Sequence, residues 1–271
     1  MKNFLSYLTF SNLYISIAAG IISGGISQFL QYDYSLVIGL FIFSSTLSVY
    51  TFQRLVKFKL EAKRDSELNR WMEKTQLFQI IVILISTIFS IYFYFISLNA
   101  FNTTKWWMLI SLLLSVMYAV KIKDVNLRDV PYLKMHLISI VWCKALLFPI
   151  ILNQDYTYSN FTFILGHYFF FIALCIPFDI RDLHYDNKRL KTLPQIMGVK
   201  NSKIISLLSI ILFICFSLYA YPNLFINVFY WFAILITLII LSFAKEKRNA
   251  FYYSVFVDGL ILIIGLSYFY K

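Results

Sequence analysis

A chain of 271 residues that is 60% hydrophobic, 20% aromatic and only 14% charged is too apolar for a soluble domain and falls in the class of polytopic membrane proteins. The formal net charge of +11 does not indicate a nucleic-acid partner, because the basic residues stand in short loops between hydrophobic stretches. The three cysteines lie in apolar stretches without close pairing, which argues against a disulfide framework or a metal knuckle. We expect an all-α integral membrane protein with one polytopic domain over residues 1–271.

Nine apolar segments of about 17 to 23 residues meet the length that crosses a hydrocarbon core of about 30 Å. The predicted spans are about 12–30, 35–56, 75–97, 105–120, 132–151, 160–178, 203–220, 224–243 and 251–270. The even-numbered loops carry most of the lysines and arginines, and the odd-numbered loops carry almost nothing but Lys105. The positive-inside rule therefore predicts a cytoplasmic N-terminus and a C-terminus outside, which agrees with an odd number of spans.

Two of the predicted cytoplasmic loops, about 57–74 and 179–202, are longer than the roughly 2 to 8 residues that usually connect neighbouring helices. Long loops on one side of a helix bundle indicate a cap over a cavity. The alternative is that these loops are only solvated connectors.

The second long loop opens with three carboxylates, Asp179, Asp182 and Asp186. In a helix this spacing places all three on one face within about two turns. Carboxylates suit Mg²⁺, which commonly binds one or two of them together with the phosphates of a substrate. Nearby Lys and Arg side chains add charge-assisted contacts to phosphate oxygens. The expected ligand is an amphipathic lipid phosphate or diphosphate whose tail lies in the apolar interior.

The stretch from Asp179 to Asp186, followed by Lys191-Thr-Leu-Pro194 and Gly198, resembles the second aspartate motif of the UbiA superfamily of membrane-embedded prenyltransferases. Further stretches that resemble this family are Tyr118 with Lys121 and Lys123, Leu127-Arg128 to Pro131 with Lys134 and Trp142, and Phe256-Val-Asp258-Gly259-Leu260. The resemblance implies a UbiA-like bundle of nine spans that moves a prenyl group from a prenyl diphosphate to an aromatic or other lipophilic acceptor. It also implies that the lipid bilayer is the protein's environment, and we expect the cytoplasmic (inner) membrane of a bacterium.

The resemblance also implies roles for individual residues. Asp182 and Asp186 are the expected catalytic residues and principal Mg²⁺ ligands, with Asp179 as an accessory ligand. The candidate diphosphate contacts are Lys121, Lys123, Arg128, Lys191, Arg54 and Lys57, and Tyr118 is an accessory candidate.

The first aspartate motif of the family is degenerate in this chain. Where family members show N-x-x-x-D-x-x-x-D at the end of the second span, this sequence has Thr51, Leu55 and Lys59. Two carboxylates are thus replaced by a neutral residue and a cation, so a metal ion at this position would lose its ligands.

Three interpretations of this departure are open. In the first, Arg54, Lys57 and Lys59 neutralise the diphosphate directly, since a cation can support a departing diphosphate as a metal ion does. In the second, Glu61 and Asp65 supply a displaced acidic pair. In the third, transfer chemistry is lost, and the protein only binds or carries an isoprenoid lipid.

Two ionisable residues stand inside predicted spans. Lys144 lies well within the fifth span, and Asp258 lies about two turns into the ninth. Ionisable groups at such depth are costly and are therefore candidates for a functional role. Each could position a substrate head group or an acceptor, or could instead be a buried structural hydrogen-bonding group.

Overall fold

The computed structural model describes residues 7–60, 67–119, 130–184, 186, 190–249 and 251–270, and within these ranges all regular structure is helical. In chain order the helices are α1 (Leu13–Phe29), α2 (Ser35–Leu60), α3 (Glu67–Lys74), α4 (Gln76–Ile91), α5 (Phe101–Ala119), α6 (Leu133–Leu152), α7 (Tyr158–Asp182), α8 (Leu193–Ala220), α9 (Val228–Ser242) and α10 (Asp258–Ser267). A π-helical segment, Tyr92–Ser97, follows α4, and a second, Tyr252–Val257, precedes α10. A 3-10 turn, Pro222–Ile226, joins α8 to α9.

Helices lie at all the positions where the sequence predicts spans. In the described part of the chain, five stretches are long and apolar enough to cross a membrane: Ser35–Lys59, Gln76–Ser97, Leu133–Leu152, Tyr158–Asp182 and Leu193–Ala220. Shorter apolar stretches are Leu13–Phe29, Val228–Ser242 and Tyr252–Ser267. Along α4 the large apolar side chains of Leu77, Leu84 and Ile88 are exposed. An outward-facing apolar surface of this kind suits contact with lipid, in agreement with the composition.

The expected cap loops contain more helix than the sequence suggested. In the first, α2 runs on to Leu60, and α3 covers Glu67–Lys74. In the second, α7 runs on to Asp182, and α8 already begins at Leu193. The three aspartates are thus divided, because Asp186 lies beyond the end of α7.

α7 is the most buried of the five long apolar helices and packs against α6 and α8. Pro177 lies inside α7 and has no N–H group to donate to the carbonyl of Ala173, one turn earlier. The hydroxyl of Ser206, on α8, donates a hydrogen bond of 2.8 Å to that carbonyl. α8 therefore compensates the proline just before the turn of α7 that carries the aspartates.

α8 is kinked near its start. Gly198 has φ 78° and ψ 167°, a backbone conformation essentially restricted to glycine. Before the kink, the backbone N–H of Thr192 donates to the side-chain oxygen of Gln195 at 3.1 Å, which caps the helix. The segment that returns from the aspartates into the bundle is thereby fixed.

α1 packs closely against α2 and α10. A Cβ atom added at Gly25 would overlap the carbonyl oxygen of Gly265, whereas one added at Gly24 would lie 3.2 Å from the carbonyl oxygen of Ser35. Small residues let helix backbones approach in a membrane, where packing largely drives association. This contact holds α10, and with it Asp258, beside α1.

A polar network joins the helix ends on the side opposite the aspartates. The hydroxyl of Tyr32 donates to Asp155 at 2.7 Å, and the amide of Asn160 donates to the Tyr32 hydroxyl at 3.2 Å. The hydroxyl of Tyr221 donates to the Asn160 side-chain oxygen. Burial, together with Asp155, raises the pKa of both tyrosines, that of Tyr221 to about 12. Both hydroxyls therefore remain protonated donors at neutral pH.

Gly25→Ala is expected to destabilise the protein by about 1 to 3 kcal/mol, because the added methyl group meets backbone that cannot move aside. Gly24→Ala is the matched control and should cost less, since its contacts are longer. Thermal unfolding of the two purified variants in detergent measures the difference. Equal midpoints would contradict the proposed tightness of the contact between α1 and α10.

Candidate functional site

A cavity of about 310 Å³ lies between α1, α2, α6, α7 and the π-helical segment that leads into α10. Its charged lining side chains, among the described residues, are Arg54, Lys134, Asp179 and Asp258. Aromatic side chains line it as well, and the rings of Trp142 and Phe171 stack at 5.2 Å between centroids. The charged groups stand near helix ends on one side of the bundle. The cavity therefore combines a charged rim with an aromatic and aliphatic wall.

Lys134, in the first turn of α6, bridges two of the three aspartates. Its ammonium nitrogen lies 2.8 Å from a carboxylate oxygen of Asp179 and 2.6 Å from one of Asp186. The side chains of Lys134 and Asp179 are only 9% and 4% exposed. One buried cation thus holds both the end of α7, through Asp179, and the segment after α7, through Asp186, against the start of α6.

Asp182 is turned toward a different partner. The guanidinium of Arg181 donates two hydrogen bonds to its carboxylate, at 2.7 and 2.8 Å. The same guanidinium lies 5.1 Å from the ring centre of Phe178 and 5.5 Å from that of Tyr253. The structure therefore brings Asp179 together with Asp186, whereas the sequence favoured Asp182 and Asp186 as the principal pair.

Arg54 lines the cavity, but its guanidinium is engaged with the backbone. It donates to the carbonyl oxygens of Thr9 and Phe10 at 3.2 and 2.6 Å. Asp258 also lines the cavity and interacts electrostatically with both Arg181 and Arg54. Arg54 thus ties the segment before α1 to the end of α2 while leaving its positive charge at the rim.

The degenerate first motif contributes neutral and basic groups on α2. Thr51 is buried, and its hydroxyl accepts a hydrogen bond of 3.3 Å from the amide of Asn12. Leu55 is buried, and Lys57 and Lys59 are exposed near the end of the helix. The three motif positions therefore supply no carboxylate to the cavity.

The remaining candidates lie outside or at the edge of the described site. Lys121, Lys123 and Arg128 fall outside the described residues, as do Glu61, Asp65 and the side chain of Tyr118. Lys191 is exposed, with its ammonium 5.7 Å from the ring centre of Tyr132. Lys144 lies away from the charged rim, in a second cavity.

The carboxylates fit a magnesium ion in part. Asp179 and Asp186 already converge on one cation, the ammonium of Lys134, and two carboxylates with substrate phosphates form a common Mg²⁺ environment. Within the described part of the chain, however, no three Asp, Glu, His or Cys side chains form a group that could hold a metal ion. The chemistry of the pair suits Mg²⁺ only with further oxygen ligands from a bound substrate.

The sequence does not identify Lys134 as the bridging group, although this lysine stands at the start of a predicted span. A lysine at the start of an apolar helix indicates an ion pair at that helix end. Its partners cannot be chosen from that signal, because Asp179 and Asp186 follow 45 and 52 residues later.

Comparison of the chain with known protein families, with curated proteins and with solved structures finds no match in any of the three.

Lys134→Met is expected to destabilise the protein by about 3 to 5 kcal/mol, because it leaves buried carboxylates without their cation. Lys191→Met removes an exposed lysine near the same segment and should change stability by less than about 0.5 kcal/mol. The double variant Lys134→Met with Asp179→Asn should recover part of the loss, since one unpaired charge is removed. Denaturation in detergent measures all three, and equal stability of the two single variants would exclude a structural bridge.

Proposed function

We propose that the chain is a divergent member of the UbiA superfamily, with nine spans, a cytoplasmic N-terminus and an outside C-terminus, in a bacterial cytoplasmic membrane. Support for the span count comes from helices at all the predicted positions. Support for the orientation comes from the basic residues, which concentrate in the loops on the side of the aspartates.

This orientation predicts the labelling of single cysteines by a membrane-impermeant maleimide. In a Cys215→Ser background, Tyr270→Cys should be labelled in intact cells, whereas Lys247→Cys should be labelled only after permeabilisation. Both positions are exposed, so access depends on the side of the membrane. Labelling of Lys247→Cys in intact cells would contradict the proposed orientation and would favour the reverse one.

The proposed activity is the transfer of a prenyl group from a prenyl diphosphate to an aromatic or other lipophilic acceptor. The observation that carries this proposal is the cavity of about 310 Å³, because it places charged side chains at one end of an aromatic and aliphatic wall. An amphipathic donor matches this distribution, with the diphosphate at the rim and the prenyl chain along the wall. The proposed activity involves no nucleic acid.

In this proposal Arg54 and Lys134, which line the rim, would attract the diphosphate, and the basic residues 121, 123, 128 and 191 would add further charge. Asp179 and Asp186 would hold Mg²⁺, with Asp182 beside them. The metal ion would supply positive charge that supports the departing diphosphate. Lys134 would then be shared between the carboxylates and the phosphate oxygens.

The proposed transfer is a substitution at carbon that needs no oxidant or reductant. The bond between the prenyl carbon and the diphosphate oxygen breaks, and its electron pair leaves with the diphosphate. An electron pair of the acceptor forms the new bond to the prenyl carbon, and the acceptor loses a proton. The rings of Tyr50, Trp142 and Phe171 line the cavity in which positive charge would develop on the prenyl group.

Binding of labelled geranyl, farnesyl and geranylgeranyl diphosphate to the purified protein, with and without Mg²⁺, tests this proposal. Asp179→Asn and Asp186→Asn are each expected to weaken Mg²⁺-dependent binding by about tenfold or more, which corresponds to about 1.4 kcal/mol. Asp33→Asn, an exposed aspartate before α2, is the matched control and should bind as the wild type does. If the wild-type protein binds none of the three diphosphates, the assignment of this cavity as a prenyl diphosphate site is wrong.

A second candidate function is binding or carriage of an isoprenoid lipid without transfer. It is favoured by the lack of carboxylates at positions 51, 55 and 59 and by the occupation of the Asp179 and Asp186 pair by Lys134. The two functions differ in one measurable product. Release of diphosphate in the presence of aromatic and quinol acceptors supports the transferase, whereas tight binding without release supports the carrier.

A further inference from the structure

Lys144 carries a buried ammonium group that finds no acceptor among the described residues. It lies eleven residues after the start of α6, which corresponds to about 16 Å along the helix. The residue is 8% exposed, and within the described residues no group accepts a hydrogen bond from its ammonium. The ammonium lies 4.5 Å from the ring centre of Trp107 on α5, a cation–π contact that offsets only part of the cost of burial.

This ammonium lines a second cavity, of about 160 Å³, between α2, α5 and α6. Aromatic residues form much of its wall, namely Phe41, Tyr50, Trp107 and Phe148. The hydroxyls of Ser45 and Ser111 also line it, but each donates its proton to a carbonyl of its own helix. Among the described lining residues, Lys144 is thus the cation, and the others are aromatic, aliphatic, hydroxyl-bearing or, at Met108, a thioether.

The second cavity adjoins the first. Four residues line both, namely Val49, Tyr50, Ser115 and Val141. The charged side chains Arg54, Lys134, Asp179 and Asp258 line only the first cavity. Lys144 therefore lies in a neighbouring compartment whose charge is not balanced by the carboxylates of the rim.

We infer that the second cavity is a binding site for a lipophilic carboxylate, held by a charge-assisted hydrogen bond to Lys144 with its apolar body against the aromatic wall. A carboxylate supplies the single negative charge that the ammonium lacks, and such bonds are stronger than neutral ones. A phosphate or diphosphate would bring more negative charge than one lysine can match. This site is additional to the proposed prenyl diphosphate site and does not depend on prenyl transfer.

Binding of radiolabelled benzoate and decanoate to the full chain tests this inference, with detergent micelles that lack protein as the blank. These two probes share the carboxylate and differ in the apolar body, so they separate a small aromatic acid from a fatty acid. At least one is expected to bind the wild type. Lys144→Met should weaken that binding by about tenfold to a hundredfold, the range expected for a hydrogen bond to a charged group.

Lys105→Met is the matched control. Lys105 lies on α5 and, like Lys144, contacts an aromatic ring, with its ammonium 5.7 Å from the ring centre of Phe101, but it is exposed. Its replacement should leave carboxylate binding unchanged. Equal affinity of the wild type and Lys144→Met, or no binding of either probe to the wild type, would overturn the inference.

The uncharged analogues benzyl alcohol and decanol provide a test on the wild-type protein, which does not depend on the folding of a variant. They fill the same space without the negative charge, so they should bind at least about tenfold more weakly than the matching carboxylates. Equal affinity would show that Lys144 does not recognise the charge. The measurement uses no prenyl diphosphate, so failure here leaves the proposed transferase function untouched.

Discussion

The buried ammonium of Lys134 is the interaction on which the charged end of the bundle depends. Without it, Asp179 and Asp186 would bring two negative charges together where few water molecules can screen them. Neighbouring polar contacts hold the same segments. The backbone N–H of Tyr132 donates to the carbonyl oxygen of Leu190 at 3.1 Å, and the side-chain amide of Gln195 donates to the backbone carbonyl oxygen of Asp186 at 3.3 Å. The start of α6, the end of α7 and the start of α8 are therefore positioned around one cation.

The other arginines at this end of the bundle are also paired. Arg54, on the rim, is bound to two backbone carbonyls, and Arg181, which is not a lining residue of the cavity, is paired with Asp182. Each of these cations therefore already has acceptors in the folded chain. A ligand that enters this cavity would have to exchange some of these contacts, and its affinity would reflect the difference. A rim built in this way favours a strongly anionic head group, because only such a group competes with carboxylates for lysine and arginine.

The two cavities differ in how the charges of their buried side chains are compensated. In the first, opposite charges face one another near helix ends, and burial is made tolerable by pairing. In the second, Lys144 rests against the face of Trp107 in the middle of α6, and its charge has no internal counterpart among the described residues. The shared wall of Tyr50 and Val141 places these two environments side by side.

The sequence by itself determined the helical segments and the apolar character that is compatible with a membrane protein, because the length and apolar character of a helix are properties of contiguous residues. The predicted span 35–56, for example, agrees with α2 at Ser35–Leu60, whereas the sixth span, predicted to end at 178, continues as α7 to Asp182. Only the tertiary structure decided which charges meet. Asp186 pairs with a lysine 52 residues earlier, and Arg54 binds carbonyls about 45 residues before it. Such partners depend on which helix faces pack together, and the local pattern of residues does not contain that information.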